Sequence, residues 1–250
     1  MTNKRVLKLI LSALFITLSM VLTRLFSIPS GPTFFRFTLG TIPIILSSFI
    51  LGPVYGLFVG LGSDLIRAIL FPIGPILIFP VISSTLLGLL PYFIVKLIRL
   101  MKPKISILII LLLFSVFFGL AMWFLWTGDG VQALVGSQYI TFTTQNRIII
   151  TCVSIIIVVL LFVALSLIAV YMRKRDQKYV KLTYEIAVSI MITEILIDLI
   201  YTTVWKTYVW NIDFFVVLTM QLIIFVVMLP IKTLLINLVM YAFDKSGVQL

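Results

Sequence analysis

The stretch FRFTLGTIPIILSSFILGPVYGLFVGLGSDLIRAILFPIGP, residues Phe35 to Pro75, sets Arg36, Asp64 and Arg67 in an otherwise apolar run broken by six glycines and four prolines. An ionised group at bilayer depth costs about 2.5–3.5 kcal/mol on insertion scales, so such groups face a cavity or a charged partner and not lipid. Glycine and proline break helices, which is tolerated at that depth where protein or a water-filled cavity satisfies the freed backbone groups. Together these features predict a binding pocket built into a helical bundle. Asp64 and Arg67 stand three apart and share one helical face, where an intrahelical ion pair supporting the pocket is expected.

Composition fixes the broad class. Of 250 residues, 62% are hydrophobic and 11% charged, which is the balance of an integral membrane protein. The mean hydropathy is +1.27. Cys152 is the single cysteine, so an internal disulfide or a cysteine metal cluster is excluded. There is no histidine, which removes histidine general bases, histidine zinc sites and histidine-ligated haem. No cofactor, metal or catalytic residue is expected. The formal charge of +11 belongs to basic loops flanking apolar segments, not to a nucleic-acid surface.

Eight apolar segments follow along the chain, at about 6–28, 37–51, 53–71, 77–98, 105–127, 148–172, 182–203 and 214–243. The first is too long for a removable signal peptide and is read as a span. The second, ending at Gly52-Pro53, is near the lower limit for crossing a bilayer. The expectation is an all-α integral membrane protein of about eight spans, forming one transmembrane domain over 1–250. Basic residues gather near one set of ends, around Lys4, Lys96 to Lys104, and Arg173 to Lys181. This bias places both termini in the cytoplasm of a multi-pass cell-membrane protein. Arg24, Arg36, Arg67 and Lys206 then fall at or near outward ends, and an outward-facing basic pocket is expected there. For Arg36, ligand contact and interfacial snorkelling are both open readings. The aromatic residues Phe71, Tyr201, Trp205, Tyr208 and Trp210 lie at the same ends, as a membrane belt or as stacking surfaces for a flat heterocycle. Glu194 and Asp198, four apart, have no local cation.

The series Arg36-Phe37, Gly40, Pro43, Gly52-Pro53, Gly56, Gly60, Asp64, Phe71-Pro72 and Gly74 resembles the pattern of S components of energy-coupling factor (ECF) vitamin transporters, in particular the folate-type group. Ala13 to Arg24 resembles that group's first helix, Tyr201 to Trp210 the end of its fifth, and Met228-Leu229-Pro230-Ile231 its last. The resemblance implies a six-helix substrate-binding subunit, not an enzyme. It would capture a small anionic vitamin, folate or a relative, from outside and associate with a T subunit and two ATP-binding cassette ATPases. The implied substrate-binding residues are Arg24, Arg36, Phe37, Arg67, Phe71, Tyr201, Trp205, Lys206 and Gln221, with Asp64, Pro72 and Gly74 supporting the pocket. The loops at Ser30 to Phe35 and Phe71 to Pro75 would close over the ligand. The small-residue pair Ala13 and Thr17 would contact the T subunit.

Two departures accompany the resemblance. Helices 1–4 of the bundle occupy 1–104 and the last two 182–250, so 105–181 reads as an inserted helical hairpin followed by a basic loop. Folate-type members carry an arginine and a lysine early in the last helix, where this chain has Gln221 and Ile224. A stand-alone secondary transporter of a small organic anion is the alternative, whose signature would be an inverted repeat. No second copy of the Arg36 to Gly74 pattern is present.

Overall fold

The computed structural model describes residues 2–29, 35–70, 77–100, 132–135, 138–141, 177–212 and 214–245, with scattered helical positions between 112 and 156. Helix α1 runs over Thr2–Leu25, α2 over Thr41–Leu51, α3 over Pro53–Leu70 and α4 over Ile78–Leu100. Further along the chain come α5 at Gln177–Glu194, a π-helical turn at Ile195–Tyr201, α6 at Thr202–Trp210 and α7 at Phe214–Lys245. Five stretches among the described residues are long and apolar enough to cross a membrane: Lys4–Leu25, Pro53–Leu70, Ile78–Leu100, Leu182–Trp210 and Phe214–Phe243. The protein is an all-α membrane bundle. Of the expected spans at 105–127 and 148–172 scattered helical positions alone are described, and the rest of those two spans lies outside the described residues.

Among the described residues, two antiparallel strand pairs interrupt the helices. Strand β1, Ser27–Pro29, pairs with β2, Arg36–Thr38, with Ser27 opposite Thr38 and Pro29 opposite Arg36. Strands β3, Gln132–Val135, and β4, Gln138–Thr141, pair within the polar stretch between the fifth and sixth apolar segments. The first pair corrects the expected boundaries. The first span ends at Leu25 instead of residue 28, and the second helix begins at Thr41 instead of residue 37. Arg36 therefore sits on a strand and not at a helix start. We call this side of the molecule the hairpin end.

Helix α2, eleven residues long, rises only about 16 Å and falls short of the hydrocarbon core of a bilayer. It is buried on nearly every side, with Ile42, Ile44, Ile45, Leu46, Ser47 and Ser48 all inside. A helix apolar all round is stable only when enclosed, and α1, α3, α4 and α7 enclose it. Its first turn is tied to α1 by the Ser19 hydroxyl, which donates to the Gly40 carbonyl at 2.7 Å. At its last turn Lys8 Nζ donates to the Leu51 carbonyl at 3.5 Å, placing a cation at the negative end of the helix dipole. Gly52 then turns the chain at φ 98°, a backbone region that glycine alone enters freely, and Pro53 opens α3.

The most extensive helix contact is α3 on α4. Gly56 and Gly60, four apart on α3, lie against the backbone of Gly88 and Ser84 on α4. A methyl group on Gly60 would overlap the Ser84 carbonyl, and one on Gly88 would overlap the Gly56 carbonyl. Lipid is as apolar as leucine, so helices in a membrane associate through such close backbone approach and not through a hydrophobic drive. The outward faces carry exposed apolar side chains instead, such as Leu9, Ile10, Leu14 and Leu18 of α1 and Phe93 and Leu97 of α4.

Candidate functional site

Helices α1, α3, α4, α6 and α7 and the first strand pair enclose a cavity of about 380 Å³ at the hairpin end, a size within the about 300–1,000 Å³ range of small-molecule sites. The chain-end halves of α1 and α3 contribute Thr23, Arg24, Asp64 and Arg67; the strands contribute Ser27 and Arg36. Helix α4 adds Ser83, Ser84 and Leu87. Across from them, Glu194, Asp198, Thr202, Trp205, Lys206 and Trp210 face inward from the π-helical turn and the segments on either side of it. From α7 come Gln221, Ile224, Phe225, Met228 and Lys232, whose spacing of three, one, three and four keeps them on one helical stripe. From Trp210 to Glu194 the wall descends about 24 Å along the helix axis.

Charge in the cavity is largely paired. Arg67 donates to Asp64, as the three-residue spacing predicts, and the Ser84 hydroxyl donates to the other Asp64 oxygen from α4. At the deep end Lys232 Nζ donates to Glu194 Oε1 at 2.6 Å and lies 3.7 Å from Asp198 Oδ2. These are the cation partners that Glu194 and Asp198 lacked on their own helix. Gln221 Nε2 also donates to the Asp198 carbonyl at 3.1 Å. Lys206 stands over two aromatic faces, 4.6 Å from the centroid of Phe35 and 5.9 Å from that of Trp205, an arrangement that holds a desolvated ammonium by ring electrostatics. The Trp205 indole stacks in parallel on Phe79, with centroids 6.1 Å apart and planes 4° from coplanar.

Four buried polar atoms of the lining have no hydrogen-bond partner among the described residues: Ser27 Oγ, Thr41 Oγ1, Trp205 Nε1 and Glu194 Oε2. An unsatisfied buried donor or acceptor costs about 1–3 kcal/mol. Each of the four belongs to a residue of the cavity wall.

The structure brings Arg24, Arg36, Arg67, Trp205, Lys206 and Gln221 to one cavity, with Asp64 behind Arg67. Two expected residues stand elsewhere. Phe37 lies on β2 opposite Ile28, and Tyr201 turns its hydroxyl to the Phe79 carbonyl at 3.4 Å; neither lines the cavity. Strand alternation explains the first, since neighbours Arg36 and Phe37 point to opposite faces. The π-helical turn, whose wider winding shifts every later side chain, explains the second. Tyr208 is 82% exposed on the outer surface. Phe71, Pro72 and Gly74 fall outside the described residues, as do most positions of the two expected lid loops. Phe35, at the edge of the first of these, is fully buried against Ile212, Val216 and Val217. Lys232 was not among the expected site residues. Its signal was a single cation in the middle of the apolar run 214–243. Ala13 and Thr17 are exposed on α1, with the Thr17 hydroxyl turned back to the Ala13 carbonyl at 2.9 Å.

A family model described as ECF-type riboflavin transporter, S component, matches residues 3–173. Comparison with curated proteins and with solved structures gives no match. The matched stretch carries α1 to α4 and the strand pair, one wall of the cavity. It supports the S-component resemblance and not the folate-type grouping. The match covers well over half of the chain, and the protein accordingly belongs to the family of ECF-type riboflavin transporter S components, membrane transport subunits and not enzymes.

Proposed function

We propose that the cavity captures riboflavin from outside the cell, with the hairpin end outward and both termini cytoplasmic, and that the loaded chain delivers it through a T subunit driven by two ATP-binding cassette ATPases. The observation that carries this reading is the set of unpartnered neutral groups, Ser27, Thr41 and the Trp205 indole, beside an aromatic wall in a cavity whose carboxylates already hold cations. Riboflavin is flat, uncharged and rich in hydroxyl, imide and carbonyl groups, so it stacks and bonds without needing a free counter-ion. The positions where folate-type members carry cations are Gln221 and Ile224 here, and both line the cavity. One observation favours folate as a second reading: the lining holds five cations, Arg24, Arg36, Arg67, Lys206 and Lys232, against three carboxylates, Asp64, Glu194 and Asp198.

The deciding experiment identifies the small molecule that co-purifies with the chain by mass spectrometry and then titrates stripped protein with riboflavin and with folate. Riboflavin is expected to bind with its fluorescence quenched. Replacing Trp205 with alanine should weaken it by about 1–3 kcal/mol through lost stacking and a lost N–H donor. A co-purified pterin with no flavin binding would replace the first reading by the second.

The exposed small-residue face of α1 at Ala13 and Thr17 is the proposed contact for the T subunit. Tryptophan at position 13 is expected to prevent co-purification of the T subunit while vitamin binding by the isolated chain persists. An intact complex with Ala13→Trp removes α1 from that role.

A further inference from the structure

Resting on the reading of the cavity as a vitamin site, we infer that Glu194 is a specificity-determining residue: its Oε2 accepts a hydrogen bond from an N–H or O–H group at the leading end of the ligand, so that a carboxylate cannot lie at that end. The two oxygens of this carboxylate have different fates. Oε1 accepts from Lys232 Nζ at 2.6 Å, while Oε2 is buried with no partner among the described residues, on a residue that lines the deep end of the cavity and is fully enclosed. Lys232 is itself buried and also lies 3.7 Å from Asp198 Oδ2, so one ammonium serves two carboxylates at the cavity floor. In the ion pair with Lys232 the Glu194 carboxylate has no proton to give, and the group that satisfies Oε2 is then a donor.

The neighbourhood sharpens the selection. Glu194 and Asp198 place two carboxylates at the cavity floor against the one ammonium of Lys232, so a third anionic group brought there would meet net repulsion in a desolvated site. A neutral N–H or O–H would instead meet a charged acceptor, the stronger kind of hydrogen bond. Sites that bond a ligand donor also reject analogues lacking it, because the buried acceptor is then left unpaired. An imide N–H or a polyol hydroxyl has the required chemistry. A vitamin with a carboxylate tail would have to enter with its heterocycle first.

The test uses the full-length purified chain and three probes: riboflavin, 3-methylriboflavin, which lacks the imide N–H, and lumiflavin, which lacks the hydroxylated side chain. In the unaltered protein one of the two analogues is expected to bind about 10- to 100-fold more weakly than riboflavin. In Glu194→Gln, whose amide can present N–H in place of the free oxygen, that difference should shrink to less than about threefold while riboflavin itself weakens by a similar 10- to 100-fold. Lys232 keeps Asp198 in this variant. If the variant does not fold, the unaltered protein still decides: equal affinity for all three probes overturns the inference. It is likewise overturned if Glu194→Gln binds riboflavin as the unaltered chain does. Failure of every flavin to bind the unaltered chain overturns the riboflavin reading, and this inference with it. Binding without a Glu194 effect overturns this inference alone.

Discussion

Leucine at position 60 is expected to eliminate the folded protein. Gly60 rests on the Ser84 carbonyl, and even a methyl group there would overlap main-chain atoms of α4. Ordinary overpacking costs about 1–3 kcal/mol because side chains can yield. Here the opposing atoms are backbone, and Gly56 and Gly88 make the same kind of contact one turn away, so the two helices must part along their whole interface. The separation would also remove Ser84 from Asp64 and spread the cavity wall. Size-exclusion chromatography in mild detergent should show aggregate in place of a single peak. A monodisperse Gly60→Leu with the melting temperature of the unaltered chain would show that the α3–α4 contact is looser than described.

The second large effect is expected at Lys232. Methionine there keeps the apolar stem but strands Glu194, a fully buried carboxylate, with a free charge and Asp198 as a like-charged neighbour. Breaking a buried ion pair from one side costs about 3–5 kcal/mol, because the orphaned charge remains desolvated. The pair itself contributes far less than that. The double variant Lys232→Met with Glu194→Gln should therefore recover most of the loss, giving strongly non-additive melting temperatures. Additive losses would mean that the two residues act independently.

Much of the cavity was legible along the chain because rare charges in apolar runs are conspicuous. Arg24, Arg36, Arg67 and Lys206 stood out in that way, and the Asp64–Arg67 pair follows from a spacing of three. The Lys232–Glu194 pair did not, because its members are 38 residues apart and only tertiary packing joins them. Nor did the strand pair at Ser27–Pro29 and Arg36–Thr38: three-residue strands are too short to display alternation, and the adjoining apolar residues extended both helix readings. The glycine pattern around Gly56 and Gly60 was visible, whereas the partner surface at Gly88 was one unremarked glycine inside a span. The vitamin class drew on a resemblance over short motifs, and the family match moved it from folate-type to riboflavin-type.

The π-helical turn at Ile195–Tyr201 has a consequence for how this chain can vary. Winding with i→i+5 bonds turns less per residue than an α-helix, so these seven residues cover nearly the rotation of six α-helical ones. Deleting one residue within the window would let ordinary α winding resume with Trp205 and Lys206 still on the cavity side. The window thus stores one residue of slack, and homologues that keep the aromatic wall can differ by one residue in its length.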